Sequence, residues 1–535
     1  MDLKKITFIV LIIAFNLNAQ NNQKVLFSID NEPVYTQEFV NVYKKNINLI
    51  DDSSKKGIEN YLNLYVNYKL KVKEAFELRL DTFPKFKSEL SEYKSNLIAP
   101  YLKDKNVSEH LIKEAYDRIT KEVDVSHILL FIKPDATAND TLIAYNKLIE
   151  ARNLILAGKS FAEVALKYSE DPTVQQNGGR IGYFTGLQMV YPFENTAFNT
   201  KIGDVSMPFK TKFGYHIVQV HNVRNAKGEV EVAHIMVKND SLIAKNKIDD
   251  IYAQLVDSNT DFFELATQVS DDKATAPQGG RLNKFGTGQM LESFANEAFK
   301  LENEGDFSKP FQTQFGWHIV RLIKKYPIES FEKLRDRITQ QVENDERSNL
   351  IGESVINRLF KEYKVVVNEE ALQQFSVNDW KEKPELFRST LLTIENTPIS
   401  QNRFISYLNS FTNTSIAKSF AGFKEKEVIN YYKQHIETDN DEFAIMFKEF
   451  KEGLLLFDLL EKRVWEKSKD SAALSNYFNE NKTKKYNHKE LATIKGTVIS
   501  DFQEYLENEW IKELNLKYKV AFNSSEKKKL LKLKI

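Results

Sequence analysis

Two thirteen-residue stretches, PFKTKFGYHIVQV (Pro208–Val220) and PFQTQFGWHIVRL (Pro310–Leu322), agree at eight positions, each placing a histidine after a glycine and one aromatic residue. The chain holds only eight histidines, so the recurrence of His216 and His318 in one setting asks for a chemical reason. Each has an earlier companion on an apolar run, His127 in VSHILL and His234 in VAHIMV. Asp171, Thr211, Met189 and Phe193 recur likewise as Asp272, Thr313, Met290 and Phe294. Paired imidazoles beside a carboxylate and a hydroxyl can orient a charge or move a proton, and they can equally be a satisfied core network. A thioether and a flat aromatic wall suit an apolar ring. Neither copy offers the third and fourth ligands of a zinc site. NGGRIG lies between helix and strand with no lysine at phosphate-loop spacing.

These residues need strands and helices to bring them together. VDVSHILLFI reads as a strand, residues 140–169 as two helices broken at Gly158 with Ser160 capping the second, and NGGRIGYF as a glycine-rich turn into a strand. A further helix begins in QMVYPFENTAFN, and HIVQV closes the series as a strand. The order strand, helix, helix, strand, helix, strand then repeats. Asp171, Gly179, Met189 and Phe193 recur at an offset of 101, His216 at 102 and His127 at 107. Indels confined to connections mark a duplicated folded domain, expected over 121–223 and 229–326. The second copy departs at Asn283, where the first has Gly182, and at Ser293, where it has Pro192.

At 535 residues the chain is too long for one core. Lys+Arg and Asp+Glu both number 75, which argues against a nucleic-acid binder with a broad basic face. Lys4 and Lys5 before an apolar run, Ile6–Phe15, and a cleavage point after Ala19 read as an export signal over 1–19. The absence of cysteine suits a bacterial envelope. Residues 20–120 form an amphipathic helical module after a short strand, with a turn at Asn31-Glu32-Pro33 and Thr36 as helix cap. Residues 327–535 are mostly helical, and 390–470 carries a possible second copy of that module, because LTIENTPISQNRFISYL echoes FSIDNEPVYTQEFVNVY. The basic tail EKKKLLKLK reads as a solvated, frayed end.

The repeated constellation resembles the parvulin family of peptidyl-prolyl isomerases, on VSHILL, FAEVALKYSEDP, NGGRIGYF, GLQMVYPFENTAF and TKFGYHIV and their second-copy counterparts. With the opening IDNEPVYTQEF, the whole resembles SurA/PrsA-type periplasmic folding chaperones with two parvulin domains. The resemblance implies an α+β fold of two tandem parvulin domains, each an FKBP-like small mixed sheet with surrounding helices, flanked by helical chaperone-like modules. It implies a substrate pocket of Met189 and Phe193, and of Met290 and Phe294, beside the catalytic groups His127, Asp171, Thr211 and His216, and His234, Asp272, Thr313 and His318. The implied function is a prolyl isomerase and folding chaperone for unfolded, proline-containing envelope polypeptides such as outer-membrane proteins. It would be exported to the periplasm, loosely associated with the outer membrane, with no cofactor, no metal, no nucleic-acid partner and no membrane segment after signal removal. The alternative is a non-catalytic holdase that binds extended clients through the same domains.

Overall fold

The computed structural model describes residues 24–47, 55–133, 136–257, 260–377, 380–411 and 415–532. The expected export signal lies outside them. The chain divides into two compact units, Met1–Pro100 with Tyr431–Ile535, and Tyr101–Asn430. In the first, strands β1 (Val25–Ile29) and β2 (Glu32–Tyr35) form a hairpin. The sequence places its turn one step late: Asp30 takes the left-handed conformation (φ +54°) and Glu32 already begins β2. Thr36 is the first residue of the Thr36–Lys45 helix, not its cap, and its hydroxyl donates to the Lys24 carbonyl at 3.1 Å. Leu26, Phe27, Phe39, Leu62, Tyr65, Trp510 and Leu514 share one core.

The second unit contains two four-stranded antiparallel sheets. The first has order β4-β3-β6-β5, from β3 (Lys121–Phe131), β4 (Arg180–Phe184), β5 (Phe209–Thr211) and β6 (Gly214–Asn225). The second repeats it as β8-β7-β10-β9, from β7 (Glu229–Lys238), β8 (Phe285–Gly286), β9 (Phe311–Thr313) and β10 (Gly316–Tyr326). Glu122–Leu130 of β3 are all buried because helices cover both faces. Ala138–Leu156 and Phe161–Tyr168 pack on Ile128 and Leu130, while Tyr191–Asn199 packs on Val123 and Val125. Capping boxes at Thr137/Asp140 and Ser160/Glu163 start the first two helices. The short strands β5 and β9 are additions to the expected order, since three residues are too few to show a period. Gly182 sits in β4 at φ +83°, whereas Asn283 avoids positive φ, and the corresponding strand shrinks to Phe285–Gly286.

Beyond the helices Phe331–Asn344 and Arg347–Glu362, β11 (Val365–Val367) pairs with β12 (Thr390–Ile394), which pairs with β13 (Thr397–Ser400). Near the carboxyl end β14 (Val520–Phe522) pairs with β1. The registers of the two three-stranded sheets coincide: Ile29 opposes Val520 as Ile394 opposes Val365, and Phe27 opposes Phe522 as Leu392 opposes Val367. The Asp30 amide bonds the Lys519 carbonyl at 2.7 Å, and the Glu395 amide bonds the Lys364 carbonyl at 2.9 Å. Each sheet is closed by a strand that follows a long helix elsewhere in the chain. The basic tail is no frayed end up to Leu530: Asn523 caps the Ser524–Leu530 helix, and Leu530 is fully buried with Leu26 and Phe27.

Candidate active site

In each parvulin-like sheet the two histidines stand on adjacent central strands, His127 on β3 beside His216 on β6, and His234 on β7 beside His318 on β10. Their rings stack 5.7 Å apart in the first domain and 5.6 Å apart in the second. The glycine before them is obligatory. Gly214 (φ +151°) and Gly316 (φ +133°) pass so close to the neighbouring strand that a Cβ would lie 2.1 Å from the Leu130 oxygen and 2.2 Å from the Val237 oxygen. This turn delivers the short strand that carries the threonine. Thr211 Oγ1 lies 2.9 Å from His216 Nε2, and Thr313 Oγ1 lies 2.8 Å from His318 Nε2.

The hydrogen bonds determine the tautomers. The Phe315 amide donates to Thr313 Oγ1 at 3.1 Å, and because the Asp272 carboxylate at the far end of the chain can only accept, the threonine hydroxyl is the donor to His318 Nε2. His318 then carries its proton on Nδ1, facing His234 Nδ1 at 3.4 Å. His234 accepts there and donates from Nε2 to Asp272 Oδ2 at 2.9 Å. One chain of donors thus runs from threonine through two imidazoles to the carboxylate. The first domain has the same ends, His127 Nε2 to Asp171 Oδ2 at 2.8 Å, but His127 Nδ1 and His216 Nδ1 are buried without a protein partner among the described residues.

Burial, reinforced by the neighbouring imidazole, pulls His216 down to about 3 and His318 to about 4. Burial also lowers His127 and His234, opposed by their aspartates. All four rings are therefore neutral at neutral pH. For Asp171 burial alone would raise the pKa, but hydrogen bonds from Thr173 and His127 hold it below the usual carboxylate range. Thr275 and His234 do the same for Asp272. The result is a half-buried carboxylate, ionised and held in place, beside uncharged imidazoles.

Phe193 and Phe294 form the floor. Phe193 meets His127 and His216 edge-on at 5.8 and 5.5 Å, and Phe294 meets His234 and His318 at 5.7 and 5.5 Å. In the second domain a cavity of about 730 Å³ is lined by His234, Asp272, Met290, Phe294, Thr313 and His318. All six of that copy's expected site residues are thus brought together. The first-domain counterparts are assembled by the same contacts, with Met189 packed on the Phe193 cluster.

Three features escaped the sequence reading. Phe209 and Phe311 stack on His216 and His318 at 5.5 and 5.6 Å. They lie two residues before the threonines, so the alternation of a strand could have found them. Met236 lines the second cavity from β7. Thr173 and Thr275 anchor the aspartates, with hydroxyls 2.7 and 2.6 Å from the carboxylates, from turns without a periodic signal.

An apolar floor beneath a fixed carboxylate and neutral imidazoles, on a four-stranded sheet, defines a class. Residues 127–222 and 231–324 match the family model for Rotamase, the PPIC-type PPIASE domain, so the chain carries two parvulin-type domains in tandem within helical flanks. It is similar to Chaperone SurA of Pseudomonas aeruginosa, 28% identical over 228 residues that cover 41% of this chain and 54% of that protein. It is also similar to Chaperone SurA of Nitrosococcus oceani, 30% identical over 209 residues, covering 38% and 49%. The peptidylprolyl isomerase PrsA from Bacillus anthracis is 29% identical over 25% of this chain and 59% of that one, with a TM-score of 0.19. The chain spans about half the length of the curated relatives it matches. No helix among the described residues is long and apolar enough to cross a membrane.

Proposed function

We propose that this protein is a peptidyl-prolyl cis–trans isomerase that also holds unfolded polypeptides in transit through a bacterial envelope. The donor chain from Thr313 through His318 and His234 to Asp272, above Phe294, carries the reading. Rotation about an X–Pro bond is slow because it breaks amide resonance, a barrier of roughly 18–20 kcal/mol. No bond is made or cleaved, so the site needs only to favour the twisted amide over the planar one. Met290 and Phe294 grip the proline ring. The Asp272 carboxylate faces the carbonyl side, where its field disfavours the charge-separated resonance form that stiffens the C–N bond. The imidazoles orient that carboxylate and transfer no proton. His127, Asp171, Thr211, His216, Met189 and Phe193 play the same parts in the first domain.

The export signal and the kinship with Chaperone SurA support placement in the periplasm and, as clients, extended proline-containing segments of outer-membrane proteins. Domains at 121–223 and 229–326 would be served by the flanking helical segments 20–120 and 327–535. We further read the hairpins at Val25–Tyr35 and Thr390–Ser400 as copies of one module whose closing strands have been exchanged, supported by their coincident registers. A protease-coupled assay with a proline tetrapeptide on the full chain tests the isomerase. Activity that Asp171→Ala with Asp272→Ala abolishes is expected, and an inactive wild type would refute it. The alternative, a holdase that only docks extended chains, is favoured by the helical flanks. It requires the double variant to keep full suppression of client aggregation while the wild type shows no turnover.

A further inference from the structure

The loop that carries Met290 is held by the other parvulin domain. Thr287 Oγ1 donates to Glu122 Oε1 at 2.6 Å, and Gln188 Nε2 donates to the Thr287 carbonyl at 3.0 Å. Glu122 is itself buried and fixed by Arg224 Nε at 2.6 Å and the Lys227 amide at 3.0 Å. This joint leaves a second cavity of about 430 Å³, walled by Ile181, Tyr183 and Arg224 of the first domain and by Met290, Leu291 and Phe315 of the second. Met290, Leu291 and Phe315 also line the 730 Å³ cavity around His234 and Asp272. The two cavities therefore adjoin at these three side chains, and together they trace a groove from the proline pocket of one domain toward the other.

A proline inside a polypeptide has chain leaving it on both sides, and each extended residue advances about 3.3–3.6 Å. We propose that the groove is one of these exits: a client segment whose proline occupies the Met290–Phe294 pocket continues across Tyr183 and Arg224, so that the first domain completes the second domain's peptide site. This rests on the isomerase reading of the second domain. The far wall selects an aromatic residue. The Arg224 guanidinium lies 3.6 Å over the Tyr183 ring, whose hydroxyl is pinned by Asn222 at 2.7 Å, which leaves a flat, preorganised platform. Exposed Phe315 faces the same cavity from the second domain. The partner is thus an extended, unfolded segment with an aromatic side chain a few residues from its proline.

The test uses the full chain and two fluorescent peptides, a proline tetrapeptide and a twelve-residue peptide adding a tryptophan on either side of the same core. The long peptide should bind at least tenfold tighter. Tyr183→Ala and Arg224→Gln should each bring the ratio of the two dissociation constants to within about twofold, Tyr183→Phe should preserve it, and Met290→Glu should abolish binding of both. A ratio unchanged in Tyr183→Ala and Arg224→Gln, or a long-peptide advantage that survives Met290→Glu, overturns the composite groove and leaves the isomerase intact. Failure of the wild type to bind either peptide instead overturns the isomerase reading and the groove with it.

Discussion

Arg347 Nη2 donates to Glu194 Oε1 with both side chains sealed from solvent. Glu194 follows the pocket residue Phe193 on its helix, and it also takes Arg118 Nη1 at 3.1 Å and the Leu187 amide at 2.7 Å. The pocket wall of the first domain is thereby bolted to the helices Lys105–Ile119 and Arg347–Glu362. The second domain has Ala295 at this position and no such bolt. Removing one member of a buried pair costs about 3–5 kcal/mol where the other charge is stranded. Arg347 keeps Asp345 and Arg118 keeps Glu114, which puts the cost here at the low end of that range.

Glu194→Ala should therefore loosen the first pocket and spare the second. A chain with several domains has no single unfolding free energy, so hydrogen exchange is the measurement to make. Protection should fall across the Phe193 helix by about two orders of magnitude or more, while the Phe294 helix keeps its rate. Equal loss in both helices would contradict the assignment.

Acid should weaken both parvulin domains. Folded His216 and His318 sit near 3 and 4, below the ordinary value of 6.5, so the unfolded chain binds more protons in that window. Their stability is fully present above 6.5 and is lost as pH falls toward 4. At pH 5 each contributes a penalty of about 2 kcal/mol relative to pH 8. Asp171 and Asp272 are depressed and add loss in the same direction below about 3.8. Urea midpoints should hold level from pH 8 to about 6.5 and then fall on acidification to pH 4, and His318→Gln should flatten the curve between 6.5 and 4.

Pocket variants should separate binding from folding according to burial. Phe294 is 3% exposed, so Phe294→Ala would open a core cavity worth about 3–5 kcal/mol. Met290 is 36% exposed, and Met290→Ala should raise KM several-fold with little change in melting. A fall in kcat at constant KM would argue that Met290 does not grip the proline.

Breaking the donor chain at its start should show in turnover. Thr313→Val keeps the shape but leaves His318 Nε2 without its 2.8 Å donor. With the first site silenced by Asp171→Ala, kcat should fall about tenfold, and Thr313→Ser should restore it. Equal rates for valine and serine would remove the threonine from the mechanism.

Ending the chain at Lys519 should undo the first unit alone. The loss of β14 strips the partners of Phe27 and Ile29, and the loss of Leu530 opens the core around Leu26. Limited proteolysis should then cut within residues 24–100, while the tetrapeptide assay still reads parvulin turnover. Unchanged proteolysis would show that the closing strand is dispensable.

Much of this molecule is written locally. The spacing of His127, Asp171, Met189, Phe193 and His216 repeats because one folded unit was duplicated, and strand periods, caps and obligatory glycines are properties of short stretches. Those features suffice to place the two parvulin-like domains and most of their elements, though not β5 and β9, and to nominate the twelve proposed site residues. Other features depend on which segments meet. Nothing in β11 or β14 says which hairpin it closes, since antiparallel backbone hydrogen bonds are indifferent to the strand that supplies them. Glu194 looks like an ordinary helix-face carboxylate until burial against two arginines makes it a bolt, and Tyr183 faces Met290 only because the Thr287 loop docks on Glu122. Residue type and spacing chose the chemistry, and long-range packing, which sums over partners hundreds of residues away, chose what holds each site.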